Sequence, residues 1–286
     1  MGSNLFLAGI VLFNPDETIL RKNIESIISQ VSCLLLVDNG SNNINGIYEE
    51  YSRRNKIVFK LLKTNLGIAT AQNHICQYAE QNGYDWVITL DQDSLCPEDL
   101  VSEYQKVLDN YDVDGKIGMV CPGIYHNRIG TLNDGFEHNQ IEEVGECIAS
   151  ASAIRVSAWR EVGGFYEPLF IDKVDFDMCS SLREHGYRIL CNNIVILHHE
   201  IGHSVMKHFA GQDRLVLNHA PIRYYYMMRN SIVVARRHNE YWKYFRNNVR
   251  LIYQINFYES DKWKKNKMLL KGFFHGIMGK LGKYCE

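Results

Sequence analysis

Residues 86–94 read Trp-Val-Ile-Thr-Leu-Asp-Gln-Asp-Ser: an apolar, β-branched run that stops at two aspartates one residue apart. The run has strand length, and its composition favours strand over helix. It does not alternate polar with apolar, so it is buried on both faces, as strands of parallel sheets are. Asp91 and Asp93 then lie just past the carboxyl end of that strand, where open α/β sheets bind their ligands.

The flanking sequence supplies such a sheet. Residues 5–13 form a near-continuous apolar run closed by Asn14-Pro15. Residues 16–30 follow, with Ile19, Leu20, Ile24, Ile27 and Ile28 at helical spacing. A second strand over 33–37 ends on Asp38-Asn39-Gly40-Ser41, and a third covers 57–62. Helices are expected at 48–54 and 67–81. This alternation indicates a three-layer α/β unit with a mostly parallel sheet. Further on, a helix is expected at 97–110 with Pro97 in its first turn. Strands are expected near 117–120 and over 148–156. A helix over 176–185 stops at Gly186, and the strand at 187–197 runs straight into His198.

Bulk properties narrow the classes. At 286 residues, 46% of them hydrophobic, the chain can bury a sizeable core. A net charge of -2 gives no global attraction to nucleic acid, and no nucleic-acid partner is expected. The eight cysteines are dispersed without a C-x-x-C pair, which reads as thiols in a reducing cytoplasm. The N-terminus has no basic n-region or small-residue cleavage site, and no run approaches the ~20 apolar residues of a membrane span. A cytoplasmic protein, soluble or peripheral on the inner face of the plasma membrane, is expected.

Three strand ends carry polar groups: Asn14, Asp38 and Asp91-x-Asp93. A lone D-x-D is commonly a solvated acidic turn. At the end of a buried strand, beside two other polar strand ends, it suits a hard divalent cation bound with a diphosphate. Asn65-Leu66-Gly67-Ile68-Ala69-Thr70-Ala71-Gln72-Asn73 opens a helix with small residues, which lets an anion approach the free N–H groups of its first turn. His199-Glu200-Ile201-Gly202-His203 spells H-E-x-x-H, a zinc-peptidase pattern. That pattern needs a helix, whereas residues 195–197 are β-branched and strand-like. The longer metzincin pattern also fails, at Met206 and Phe209.

Taken together, Gly9–Asn14, Val37–Ser41, Asn65-x-Gly67-x-Ala69-x-x-x-Asn73 and Asp91-Gln92-Asp93 resemble the family 2 inverting glycosyltransferases. So do Val162–Phe165, Phe170–Asp177, the histidine pair, and Pro221-x-Arg223-x-Tyr225-x-x-x-Arg229-Asn230. The likeness covers roughly residues 5–240 and is greatest to bacterial rhamnosyltransferases. It implies a GT-A fold, a nucleotide-diphosphate-sugar donor and a divalent metal (Mg2+ or Mn2+). By the same likeness, Asp38 contacts the base or ribose, Asp93 is the direct metal ligand, and Asp91 contacts ribose or metal. Asp175 is the general base and His199 a metal-coordinating histidine. Asn14, Asn65, Gly67 and Asn73 belong to the donor site. Arg229, with the planar fork that suits phosphate oxygens, is assigned to the leaving group or an acceptor phosphate. Val174 departs from the family, where many relatives carry an acid; Asp172 is a possible substitute.

The resulting expectation is an α/β GT-A fold: a mixed sheet flanked by helices, with a helical basic C-terminal extension. Residues 1–215 form the catalytic domain, 1–95 being the nucleotide-binding half and 96–215 the acceptor half; 216–286 form the extension. From 232 to 286 there are 12 Lys/Arg against 4 Asp/Glu, interleaved with aromatic residues, a composition suited to an anionic membrane surface. The expected reaction moves L-rhamnose from dTDP-L-rhamnose to a saccharide acceptor, lipid-linked, in bacterial cell-surface polysaccharide synthesis. A UDP-hexose donor, or an inactive nucleotide-sugar-binding homologue, is the alternative.

Overall fold

The computed structural model describes residues 4–126, 130–131, 140–198, 205–209, 212–216 and 218–285. The first half alternates as expected: β1 (Phe6–Leu12), α1 (Glu17–Ile28), β2 (Cys33–Asp38), α2 (Asn45–Tyr51), β3 (Ile57–Leu61), α3 (Ile68–Gln81) and β4 (Trp86–Asp91). Then come α4 (Leu100–Tyr111), β5 (Ile117–His126), β6 (Gly130–Thr131), β7 (Ile141–Glu143), β8 (Ser152–Arg155) and α5 (Val156–Glu161). A 3-10 turn (Glu167–Leu169) leads to α6 (Val174–Glu184), β9 (Arg188–His198), β10 (Val205–Phe209) and β11 (Gln212–Val216). The C-terminal part holds α7 (Pro221–His238), α8 (Tyr241–Tyr258) and α9 (Lys262–Met278).

The main sheet has the order β3-β2-β1-β4-β8-β5-β9-β7, with β6 on β5; β10 and β11 pair separately. β3, β2, β1 and β4 run parallel, and β8 is antiparallel to both β4 and β5. Strand order reverses between β1 and β4. Val11 faces Asp91 across that junction, so the D-x-D sits at the topological switch point.

Alternate residues of the parallel strands feed two cores. Ala8, Ile10, Leu34, Leu36, Trp86 and Ile88 pack against α1, α2 and α4. Leu7, Val11, Leu35, Val37 and Val87 pack against α3, α5 and α6 on the other face. Gly9 is required at its place, because a Cβ there would lie 2.3 Å from the Ile75 side chain of α3. Asp16 caps α1 by accepting hydrogen bonds from the Thr18 and Ile19 N–H groups.

Several boundaries differ from the sequence expectation. Pro97 precedes α4, and its carbonyl accepts from Leu100 N–H in a turn before the helix begins. The strand expected from 148 begins only at Ser152, which leaves residues 148–150 free to line a cleft. α6 begins at Val174, two residues early, because Lys173 takes a left-handed conformation and serves as its N-cap. β9 runs to His198 as a strand; the H-E-x-x-H itself lies outside the described residues.

Candidate functional site

A cleft of about 670 Å³ opens at the carboxyl ends of β1, β2 and β4. One wall holds Phe13, Asn39, Asn65, Gly67 and Asp91–Asp93; the facing wall holds residues 148–150 and Phe170–Phe176. His219, Arg223 and Met227 of the α7 region form its rim. A second hollow, of about 490 Å³ beside Asn4–Phe6, lies at the amino end of β1 and brings no comparable set of carboxylates together.

The loops after β2 and β3 are tied by their own amides. Asn39 donates through Nδ2 to Asn65 Oδ1 (3.2 Å) and accepts from Leu66 N–H (2.9 Å). Asn65 Oδ1 also accepts from Gly67 N–H (3.0 Å). Gly67 has φ +94°, and a Cβ there would come within 2.5 Å of the Phe170 carbonyl, so glycine alone fits this close approach. Asp38 is buried and accepts from Ser41 N–H, shaping the loop behind Asn39. Asn14 holds the same loop from the other side, donating through its N–H to Ser41 Oγ and accepting from Asn42 N–H. Asp38 and Asn14 thus flank the cleft wall.

Asp91 and Asp93 both reach the cleft, with Asp93 exposed. Asn23 of α1 donates to the Asp91 carbonyl (2.7 Å), which pins the end of β4. Gln92 reaches back to accept from Phe13 N–H (2.9 Å), locking the turn to β1.

Asp175 stands on the facing wall, inside the first turn of α6 rather than ahead of the helix. Burial raises its pKa to about 6, against the opposing pull of Lys173 and of the Phe176 N–H that it accepts. A carboxylate poised there is both basic and largely ionised at neutral pH, as a general base requires.

The backbone that carries Asp175 is strained. Phe170, Asp172 and Lys173 have φ of 66°, 65° and 65°, none of them glycine. Asn230 holds this segment: its Nδ2 donates to the carbonyls of Leu169 (3.0 Å), Ile171 (2.6 Å) and Asp172 (2.8 Å). Arg229 is fully buried, donating to the Leu169 carbonyl (2.7 Å) and the Gly282 carbonyl (2.6 Å). The assignment of Arg229 to a phosphate is therefore corrected: its donors are spent on backbone carbonyls and on Asn230 Oδ1. Arg223 is the arginine at the rim, paired with Asp172 at 2.9 Å.

Asn73 needs the same correction. Its Nδ2 donates to the Phe165 carbonyl and Glu167, and its Oδ1 accepts from Trp159 Nε1 and Phe165 N–H. All of its capacity goes to fastening α3 to α5 and the 163–167 loop. Gln72, one residue earlier, was missed in the sequence reading. It is buried, lines the cleft, and its Oε1 accepts no hydrogen bond from the described residues. Its position between two small-residue turns of α3 was the available signal. Ser150 and His219 also went unrecognised; they belong to segments that only the fold brings to the cleft.

His199 lies outside the described residues. His198 is exposed, its ring edge-on to Tyr125 at 5.3 Å. Among the described residues no group of three or more His, Cys, Asp or Glu forms a metal cage.

Comparison with known proteins agrees with this geometry. The sequence profile of glycosyl transferase family 2 matches residues 8–163. A dTDP-rhamnosyl transferase of Shigella flexneri, RfbF, is 26% identical over 255 residues, spanning 84% of this chain and 82% of its own. Among solved structures, residues 1–349 of S. aureus TarS superpose with a TM-score of 0.53 at 14% identity, over 96% of this chain and 72% of that one. GalNAc-T7 with UDP, GalNAc and Mn2+ superposes with a TM-score of 0.63 at 14% identity, over 97% of this chain and 56% of that one. The structural likenesses establish the fold, a mixed α/β sheet flanked by helices as in GT-A glycosyltransferases. The profile match establishes the family: this chain belongs to glycosyl transferase family 2.

Proposed function

We propose that this family 2 glycosyltransferase moves L-rhamnose from dTDP-L-rhamnose, with inversion, onto a lipid-linked saccharide in cell-surface polysaccharide synthesis. The observation that carries the reaction class is the cleft itself. Asp91 and Asp93 stand at the switch point on one wall, and Asp175 stands on the other with a pKa raised to about 6. The likeness to RfbF supports the choice of donor.

In this reading Asp175 takes the proton of the attacking acceptor hydroxyl, while the nucleoside diphosphate leaves from the opposite face of the sugar. Asn39 and Asn65 hold the donor wall in shape, and Asp38 and Asn14 set the loop that receives the base and ribose. Gln72 offers an acceptor to a donor hydroxyl or amide. At the N-terminus of α3 the Gly67 and Ile68 N–H groups are spent on Asn65 Oδ1 and the Phe170 carbonyl, so the helix contributes its positive dipole end to the diphosphate. A divalent cation fits the donor set, since Asp91 and Asp93 provide hard oxygen ligands and an ion of the Mg2+ type completes its shell from phosphates and water. When bound, it supplies Lewis-acid stabilisation of the leaving diphosphate.

A panel of dTDP- and UDP-sugars, with Mg2+ or Mn2+ and with chelator, tests the reading through nucleoside-diphosphate release and thermal stabilisation. Stabilisation by dTDP-L-rhamnose, release only with metal, and loss of both in Asp93→Ala are expected. Stabilisation by UDP-hexoses and not by dTDP-sugars would overturn the donor assignment.

A further inference from the structure

α8 and α9 each bury one face and leave the opposite face apolar. Tyr244, Ile255 and Tyr258 of α8 turn inward. Trp242, Phe245, Val249, Ile252, Tyr253 and Phe257 are exposed, at spacings that place them on one stripe. Leu269, Gly272 and Gly276 of α9 turn inward, the glycines directly against the α7 backbone at Tyr225 and Arg229. Trp263, Leu270, Phe273, Phe274 and Ile277 are exposed on the other side. Trp242 is 74% exposed and Trp263 81%. Scattered apolar residues are normal on a surface, whereas a stripe along each of two contacting helices marks surface that meets something apolar.

Charge identifies the occupant. Neither helix contains an acidic residue, and Arg246, Arg250, Lys262, Lys264 and Lys267 are exposed beside the stripes. A second copy of the chain would set these cations against themselves. Anionic lipid headgroups complement them, and aromatic rings favour the depth just below the headgroups. Among the described residues no helix is long and apolar enough to cross a membrane, so the contact is with a surface.

The stripes also connect to the cleft. Ser260 Oγ and Lys265 Nζ, at the corner between α8 and α9, donate to Asn218 Oδ1 at 3.0 and 2.8 Å. Asn218 precedes His219, and His219 and Arg223 form the cleft rim. We infer that α8 and α9 seat the protein on an anionic bilayer surface through these stripes and hold the α7 rim of the cleft beside a lipid-borne acceptor. The seating stands on the surface alone; delivery of the acceptor rests on the function proposed above.

Co-sedimentation of the full chain with phosphatidylglycerol-containing vesicles, against pure phosphatidylcholine vesicles, tests the inference at low and high salt. Binding to the anionic vesicles is expected, weakened by salt, with a blue shift of tryptophan emission from Trp242 and Trp263. Replacing Arg246, Arg250 and Lys267 by Gln should weaken partitioning roughly a hundredfold. Trp242→Ala with Phe245→Ala and Trp263→Ala should abolish the blue shift. Both variants should keep the melting temperature and donor hydrolysis of the parent. No binding of the intact chain to anionic vesicles at low salt would overturn the inference. So would sedimentation of the parent as a dimer that the aromatic variant dissociates. Vesicle binding without transfer from any donor would instead sink the functional reading and leave the seating standing.

Discussion

In the proposed reaction Asp175 concentrates the chemistry of the cleft in one side chain. Its raised pKa makes the ionised, active form dominant above about pH 6. Turnover at saturating donor should therefore rise about tenfold per unit below that pH and level off above it. Asp175→Asn should lose roughly 10²–10⁴-fold in turnover and retain donor binding, which calorimetry with the nucleoside-diphosphate product or the sugar donor would separate. Arg229 and Asn230 act on this residue through the backbone of the segment before it. Asn230→Ala leaves three carbonyls of the strained 169–172 segment without their donor. We expect a loss of about 2 kcal/mol in denaturant unfolding, together with a drop in turnover larger than any change in donor affinity. The family motif groups Asp175, Asp91 and Asp93, which all line one cleft. It could not show that Arg229 and Asn73 are turned inward, since an arginine that binds phosphate and one that binds carbonyls look alike in sequence.

The elements were legible where burial was uniform. Apolar runs bounded by Asn-Pro, Asp-Asn-Gly and Asp-Gln-Asp became β1, β2 and β4 because a strand buried on both faces has no polar position to spare. Boundaries failed where a single backbone conformation decided them. Lys173 in a left-handed conformation starts α6 early, and nothing in a lysine announces that geometry. Gly9 marks the tightest contact between layers. Gly9→Ala should destabilise the protein by about 1–3 kcal/mol, because the new methyl would meet Ile75 in a packed core. Ile75→Val in the same chain should recover part of that loss, and a double-mutant cycle by chemical denaturation would measure the coupling.

The whole molecule is held by a C-terminal layer that braces the catalytic wall. α9 lies along α7, and α7 reaches α6 through Asp177, which accepts from Arg237 (2.8 Å) and His238 (3.0 Å). Burial pulls the His238 pKa down, but the hydrogen bonds of Asp177 and Glu184 outweigh it and leave it raised. A histidine with a raised folded pKa contributes stability that is complete below about pH 6.5 and lost as pH rises through the folded value. The raised Asp175 pKa has the same sign in a lower window: the folded state favours its protonated form, so stability falls between about pH 4, the unfolded value, and about pH 6, and levels off above it. The melting temperature should therefore decline from about pH 4 to 6 through Asp175 and again above about pH 6.5 through His238; Asp175→Asn should flatten the first decline and His238→Gln the second in calorimetric scans. The sequence by itself determined the α/β alternation, the acidic strand ends and the basic aromatic C-terminus, because each is a local pattern of burial, charge or spacing. Only the tertiary structure decided which polar side chains face the cleft and which brace it. Gln72 and Arg223 line it, while Asn73 and Arg229, drawn from the same segments, are spent within the protein. That outcome depends on neighbours 50 to 90 residues away, whose carbonyls and rings compete with any ligand for the same donors.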